Sequence, residues 1–317
     1  MAELGFDGKV AIVTGAGRGL GGQHALLLAS RGAKLVVNDP GVSLTGEGSD
    51  EGLAESVASE IREQGGEAVA ETSSVATPEG GQAIVQTALD RYERVDILIN
   101  NAGIMRDAPF EDMTPDLVDP LIEVHLKGAF NVTRPAWIAM REQGYGRVVN
   151  TSSAAGLLSG ANKSNYGTVK SGIVGFTKIL SYEGAPYNVK VNAIAPMALT
   201  RMTVQSMADA DGSAEFNTAA MDKLRAFVAK LEPGLVSPVV AFLAHEQCPV
   251  SGEVYSVGGG QVSRFFIGRT QGYFNPCLSI EDVRDNFDEI RDQTGYTVPA
   301  GSGDEVAQLF QAITNSS

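Results

Sequence analysis

The segment YGTVK, residues 166–170, sets a tyrosine and a lysine four positions apart, and Ser153 of NTSSAAG lies thirteen residues before the tyrosine. On a helix, positions i and i+4 share a face. A free phenol ionises near pH 10, and a cation beside it favours the phenolate. Tyr166 with Lys170 therefore has the make-up of a general acid or base for work near neutral pH. A serine hydroxyl delivered by a neighbouring strand end could hydrogen-bond the oxygen on which charge develops when hydride reaches its carbon. By spacing alone such a pair is as readily a solvated helix face, so the segments before it must decide.

The first of these is TGAGRGLG, residues 14–21, in a longer stretch that also carries a GxGxxG string at Gly17, Gly19 and Gly22. Glycines let a backbone approach a pyrophosphate, and a helix opening behind them offers free N–H groups and a positive dipole end. The run KVAIVTG (9–15) before it reads as a buried strand, and AKLVVND (33–39) as a second, ending on Asp39. A carboxylate at that position hydrogen-bonds a ribose 2′-hydroxyl and repels a 2′-phosphate, which favours NAD. Arg18 argues the other way, because an arginine in this turn can pair with a 2′-phosphate.

These segments need elements to hold them, and the chain supplies an alternation. Helical patterns are expected after Gly19, over EGLAESVASEIREQGG, at 78–91, as one long helix over 116–142 containing Pro120 and Pro135, and at 164–185 and 234–244. Between them EAVAE, VDILINNAG (95–103), GRVVNTSS (146–153), VKVNAIAP (189–196) and GEVYSVGGG (252–260) read as strands. Strand and helix in turn imply an α/β fold, a doubly wound parallel sheet of about seven strands. Residues 1–260 form the expected catalytic domain, with 203–232 irregular but helical. The tail, 261–317, breaks the rhythm and carries one expected helix, SIEDVRDNFDEIRDQTG.

Composition sets limits. The 317 residues are 43% hydrophobic, enough for a sizeable core, and the net charge of −14 argues against nucleic acid or an anionic membrane as partner. Two cysteines, Cys248 and Cys277, and three scattered histidines, His24, His125 and His245, show no metal-binding spacing, so no metal is expected. No apolar run is long enough to span a bilayer. The segment MAELGFDGK is no signal peptide and ITNSS no peroxisomal address, so a cytoplasmic protein is expected.

The order TGAGRGLG, NNAG (100–103), Ser152–Ser153, YGTVK and VNAIAP (191–196) resembles the short-chain dehydrogenase/reductase family over about residues 7 to 260. That resemblance implies a Rossmann fold and hydride transfer with NAD and no metal. It implies Tyr166 as acid/base, Lys170 as the residue that lowers its pKa and holds the nicotinamide ribose, and Ser153 as the group that polarises the substrate oxygen. Gly15, Gly17, Arg18, Gly19, Leu20 and Gly21 would form the phosphate turn, with Asp39 on the adenosine ribose and Ser74 and Val75 at the adenine. Asn101, Ala102 and Gly103 would stand beside the cofactor, as would Pro196, Ala198, Leu199 and Thr200.

Within the family, FDGKV, VVNDPG, NNAGIMRD, VHLKGAF, YGRVVNTSSAAG, NYGTVK and RMT (201–203) resemble the branch of multifunctional enzymes type 2, or 17β-hydroxysteroid dehydrogenases type 4. This resemblance implies oxidation of (3R)-hydroxyacyl-CoA, fatty or steroid side-chain, to 3-oxoacyl-CoA, in a homodimer or homotetramer. A hydroxysteroid dehydrogenase acting on free steroid alcohols is the alternative, and a catalytically silent NAD-binding protein a third reading. His125 stands where many members carry an asparagine that positions a proton-relay water. By the same analogy 203–232 is a substrate lid, with Met202, Met207, Phe216, Met221 and Phe227 as apolar wall. Arg106, Lys163, Arg201, Arg264 and Arg269 are candidate cations for the CoA phosphates. The tail would pack on the main domain or a partner subunit.

Overall fold

The computed structural model describes residues 3–205 and 226–315. The chain divides into two compact units, Met1–Arg264 and Phe265–Ser317. The first is built on strands β1 (Val10–Thr14), β2 (Lys34–Asn38), β3 (Glu67–Glu71), β4 (Ile97–Asn100), β5 (Gly146–Thr151), β6 (Val189–Pro196) and β7 (Val254–Gly258). They pair side by side in the order 3-2-1-4-5-6-7, every pair parallel. An eighth strand, β8 (Gln261–Phe265), follows β7 after a two-glycine turn, so the sheet has eight strands. Gly259 and Gly260 both have positive φ, the backbone that a two-residue hairpin turn requires. The run GEVYSVGGG shows only the strand that leads into it.

The inner strands are buried on both faces, as their unbroken β-branched runs require. On one face α1 (Gly19–Ser30), α2 (Gly52–Glu63) and α7 (Ser237–Ala244) enclose a core around Leu28, Ile61, Ile97 and Ile194. On the other, α3 (Pro78–Tyr92) and α5 (Gly128–Gln143) pack over Ile12, Leu98, Val148 and Met140. The strand order reverses between β1 and β4, and such a switch point leaves a crevice at the carboxyl ends of the strands.

The long helix expected over 116–142 is instead three pieces: α4 (Pro115–Leu121), a π-helical turn (Ile122–Lys127) and α5. Pro120 lies inside α4 and removes a backbone donor just before the widened turn, which fits the origin of such bulges. Pro135 stays inside α5. It has no N–H to offer the Asn131 carbonyl, and at that carbonyl α3 comes close: a Cβ on Gly81 would stand 2.4 Å from Asn131 O. Helix α6 (Ser164–Gly184) runs as expected.

In the second unit the expected helix over 279–295 is two short ones, α8 (Ile280–Asp285) and α9 (Phe287–Arg291), parted at Asn286. Ser279 caps α8 with a reciprocal box to Asp282. A further helix, α10 (Ser302–Asn315), was not foreseen. Of the expected lid, 206–225, and with it Met207, Phe216 and Met221, lie outside the described residues.

Candidate active site

The carboxyl ends of β1, β4, β5 and β6 surround a cavity of about 880 Å³, within the range of small-molecule sites. Every expected catalytic and cofactor-binding residue lines it except Gly17 and Gly21. Those two are packing positions behind the wall. A Cβ on Gly21 would stand 2.3 Å from Gly15 O, and one on Gly17 would meet Leu53 Cβ at 2.8 Å. Gly19, with φ +57°, opens α1, and a Cβ there would meet nothing, so the space before the helix N-terminus is free. That cradle fits the phosphates of a dinucleotide.

Asp39 is buried at the end of β2. Its Oδ2 accepts from Gly17 N–H at 2.9 Å and its Oδ1 from Gly41 N–H at 2.7 Å, so one carboxylate ties the glycine turn to the loop after β2. Thr14 Oγ1 accepts from the N–H groups of Asn101 and Ala102, both at 3.1 Å, and Asn101 Nδ2 donates to the carbonyls of Thr14 and Gly15, both at 3.0 Å. These contacts bolt NNAG to the glycine turn across the switch point.

On the opposite wall the two serines after β5 separate. Ser152 is buried and its hydroxyl donates to the Lys170 carbonyl at 2.8 Å. Ser153 Oγ accepts from Ala155 N–H at 3.2 Å and reaches the Tyr166 hydroxyl by a hydrogen bond. Lys170 is buried, with Nζ donating to Thr151 O at 2.6 Å and lying 5.5 Å from the Tyr166 ring centre.

Burial governs the charges here. It pushes Tyr166 up to about 12, against the pull of the Ser153 hydrogen bond and with a further push from Asp107. It brings Lys170 down to about 7. The lowered tyrosine that the Lys170 neighbour implied is thus not produced by these side chains, because burial is the largest influence on the phenol. His125 lies well below its usual value through burial, then the nearby Lys170 charge, so it is neutral. Its Nε2 sits 2.8 Å from Ile104 O and 3.1 Å from Ile104 N, and Nδ1 has no hydrogen-bond partner. Gly103 makes room for this ring, since a Cβ there would stand 2.5 Å from His125 Cε1.

The candidate cations do not converge as a set. Arg106, Lys163 and Arg201 line the cavity. Lys163 pairs with Asp107, and Arg106 donates to Thr45 O and Asp116 O, both at 2.8 Å. Arg264 pairs with Glu253 at 2.9 Å, and Arg269, in the second unit, with Glu305 at 2.7 Å. Sequence reasoning passed over three features: the loop of residues 40–46 as cavity wall, Asp107 as a charge acting on Tyr166, and the Thr151 hydroxyl. The first two lie in loops, which lack the periodicity that exposes helices and strands, and Thr151 ends β5 with nothing in its spacing to mark its hydroxyl.

A fold wound this way, with a dinucleotide cradle facing a serine, tyrosine and lysine, is that of an oxidoreductase. Residues 9–211 match the short chain dehydrogenase family, and the chain belongs to it. Members typically use NAD(P). The chain is 40% identical over 312 residues to the peroxisomal multifunctional enzyme A of Dictyostelium discoideum, covering 98% of this chain and 66% of that enzyme. The full-length peroxisomal multifunctional enzyme type 2 of Drosophila melanogaster is similar in structure, with TM-score 0.78 and 30% identity, over 98% of this chain and 50% of that one. A short chain dehydrogenase of Mycobacterium avium, with TM-score 0.69 and 37% identity, is matched over 96% of both chains. The chain therefore spans about half to two thirds of the two multifunctional relatives and nearly all of the mycobacterial one. No described helix is long and apolar enough to cross a membrane.

Proposed function

We propose that the chain is an NAD-dependent dehydrogenase that interconverts (3R)-hydroxyacyl-CoA and 3-oxoacyl-CoA, on fatty or steroid side-chain thioesters. The observation that carries this reading is one cavity with a glycine cradle and Asp39 on one wall and Ser153, Tyr166 and Lys170 on the other. The likeness to multifunctional enzymes over nearly the whole chain supports the thioester. Apolar groups at Ile104, Met105, Leu199 and Met202 suit an acyl chain, and they equally suit a free steroid alcohol, which is the alternative substrate. We keep the cytoplasm as its compartment, and a homodimer or homotetramer as its assembly. The exposed Phe130, Ile179 and Tyr182 of α5 and α6 support the latter.

NAD, once bound, supplies the hydride acceptor. Ser153 Oγ holds the substrate oxygen and Tyr166 Oη takes its proton. Lys170 Nζ stands beside the ring, held by the Thr151 carbonyl. His125 takes a positioning role. Its Nδ1 and the Thr151 hydroxyl, both buried without a partner, border with Lys170 a second cavity of about 10 Å³, the room one water needs.

The test is NADH formation with a (3R)-hydroxyacyl-CoA, its (3S) epimer and a 17β-hydroxysteroid side by side. Turnover of the (3R) thioester alone is the expected result, and turnover of the steroid alone rejects the thioester reading. Asp39→Ala is expected to shift preference toward NADP, by tenfold or so in the ratio of kcat/KM values. It is also expected to lower the thermal midpoint, because two buried amides lose their acceptor at about 1–3 kcal/mol each. An unchanged cofactor ratio counts against the ribose role.

A further inference from the structure

Tyr166 stands in the first turn of α6, where backbone N–H groups find no partner inside the helix and where helices fray. Lys170, one turn later, is fixed to the end of β5 at two points, by Nζ to Thr151 O and by its carbonyl to the Ser152 hydroxyl. The backbone of Tyr166 is held differently. Lys163, at the N-cap of α6, has a side chain with no acceptor to offer. Asn165 supplies one: its Oδ1 accepts from Tyr166 N–H at 2.6 Å.

The same side chain reaches the other way. Asn165 Nδ2 donates to Arg106 O at 2.7 Å and to Leu117 O at 2.8 Å. Asn165 is only 5% exposed, and both its amide protons are matched. Turned over, the amide would set its oxygen against two carbonyls, so its orientation is fixed. Two more contacts join the same segments: Ala108 N–H donates to Asn162 O at 3.1 Å, and Lys163 pairs with Asp107. Residues 104–108 and 162–165 are thus clasped at three points, and at one of them Asn165 also grips α4 through Leu117.

The clasp joins two walls of the cavity. Ile104, Met105 and Arg106 line it directly after NNAG, and Ile104 also holds His125 Nε2. Tyr166 and Ser153 line it from the other side. Slack in the first turn of α6 would carry the Tyr166 hydroxyl away from Ser153 Oγ, and proton transfer is sensitive to displacements of that kind.

We propose that Asn165 is a positioning residue for proton transfer: it ties the first turn of α6 to the segment that continues the cofactor wall, and so holds Tyr166 within reach of the substrate oxygen. Asn165 is not among the residues lining the cavity, so it acts through Tyr166. The inference rests on the proposed role of Tyr166 as base.

The test is a double-mutant cycle, read as NADH formation with a (3R)-hydroxyacyl-CoA, or with the 17β-hydroxysteroid where that is the alcohol turned over. Asn165→Leu, close in volume, removes all three bonds. It is expected to lower kcat by roughly 10–100-fold, while KM for the alcohol and NAD affinity by fluorescence titration stay within a few-fold. Asn165→Asp keeps the acceptor for Tyr166 N–H and loses both donors, and a similar fall is expected because the grip on Arg106 and Leu117 is gone. In the Tyr166→Phe background, Asn165→Leu is expected to cost no more than about twofold, since no hydroxyl is left to place. An equal fall in both backgrounds, unchanged turnover in Asn165→Leu or Asn165→Asp, or NAD affinity lost in step with turnover assigns Asn165 to the frame of the fold and overturns the inference. Near-normal turnover in Tyr166→Phe, or turnover of neither alcohol by the wild type, is a distinct failure: it rejects the proposed function's base, and this inference falls with it.

Discussion

Tyr166→Phe is expected to lower turnover about 10³-fold while NAD affinity stays within a few-fold. The substitution removes one oxygen and keeps the ring. That ring packs among Ile104, Leu121 and Val169 and meets the His125 ring edge-on at 5.5 Å between centres, so the wall of the cavity survives. What goes is the group that takes the alcohol proton, leaving Ser153 to hold the oxygen with no base beside it. The wild type carries a second signature. With Tyr166 pushed up to about 12 by burial, only the small phenolate fraction acts as base, so kcat/KM for alcohol oxidation rises with pH through the alkaline range. Ketone reduction uses the neutral phenol, which stays nearly fully populated until the pH approaches that value, so it stays flat over the same range. Steady-state kinetics against pH, with fluorescence titration of NAD, check both. Near-normal turnover in Tyr166→Phe rejects its role as base.

Lys170→Met is expected to alter stability in a pH-dependent way as well as reduce turnover. Burial brings the folded-state value of this lysine to about 7 from 10.5. Between those limits the unfolded chain holds a proton that the folded chain does not, so stability gained from this site rises with pH. Below about pH 7 both states are protonated and the folded state carries the full penalty of a buried ammonium; above about pH 10.5 the penalty is gone. The wild type should therefore gain stability relative to Lys170→Met as pH climbs from 7 to 10.5, by at most ~5 kcal/mol. Urea titrations of both proteins at pH 6, 8 and 10 measure this. A difference that stays flat with pH would show that Lys170 keeps its charge when folded, through its bond to Thr151 O.

The alternation of the sheet and its helices was legible because buried parallel strands write themselves as short β-branched runs. VKVNAIAP is strand β6 residue for residue. The serine, the tyrosine and the lysine were singled out from order and spacing; in the structure the Ser152 hydroxyl is tied to the Lys170 carbonyl and Ser153 reaches toward Tyr166. The long helix over 116–142 was not, because a π turn is an added residue in a helical register and leaves the apolar spacing almost unchanged. Strand β8 and helix α10 were missed for another reason. Four of the five β8 residues are exposed and the fifth is half-buried, so no face of the strand records a core. The charge state of Tyr166 was beyond the sequence altogether, since it depends on what surrounds the hydroxyl in space.

The place of β1 in the sheet has a consequence for how the chain is made. Its neighbours are β2, which follows within a few dozen residues, and β4, just before which Asp96 accepts from Val10 N–H across 86 positions of sequence. During synthesis at about 5–20 residues per second, the open edge of β1 waits on the order of ten seconds for its second partner to leave the ribosome. For that time VAIVT presents an unpaired apolar strand edge, the kind of surface that pairs with other chains. A hazard in the synthesis of this enzyme thus lies in the same strand that later carries its cofactor turn.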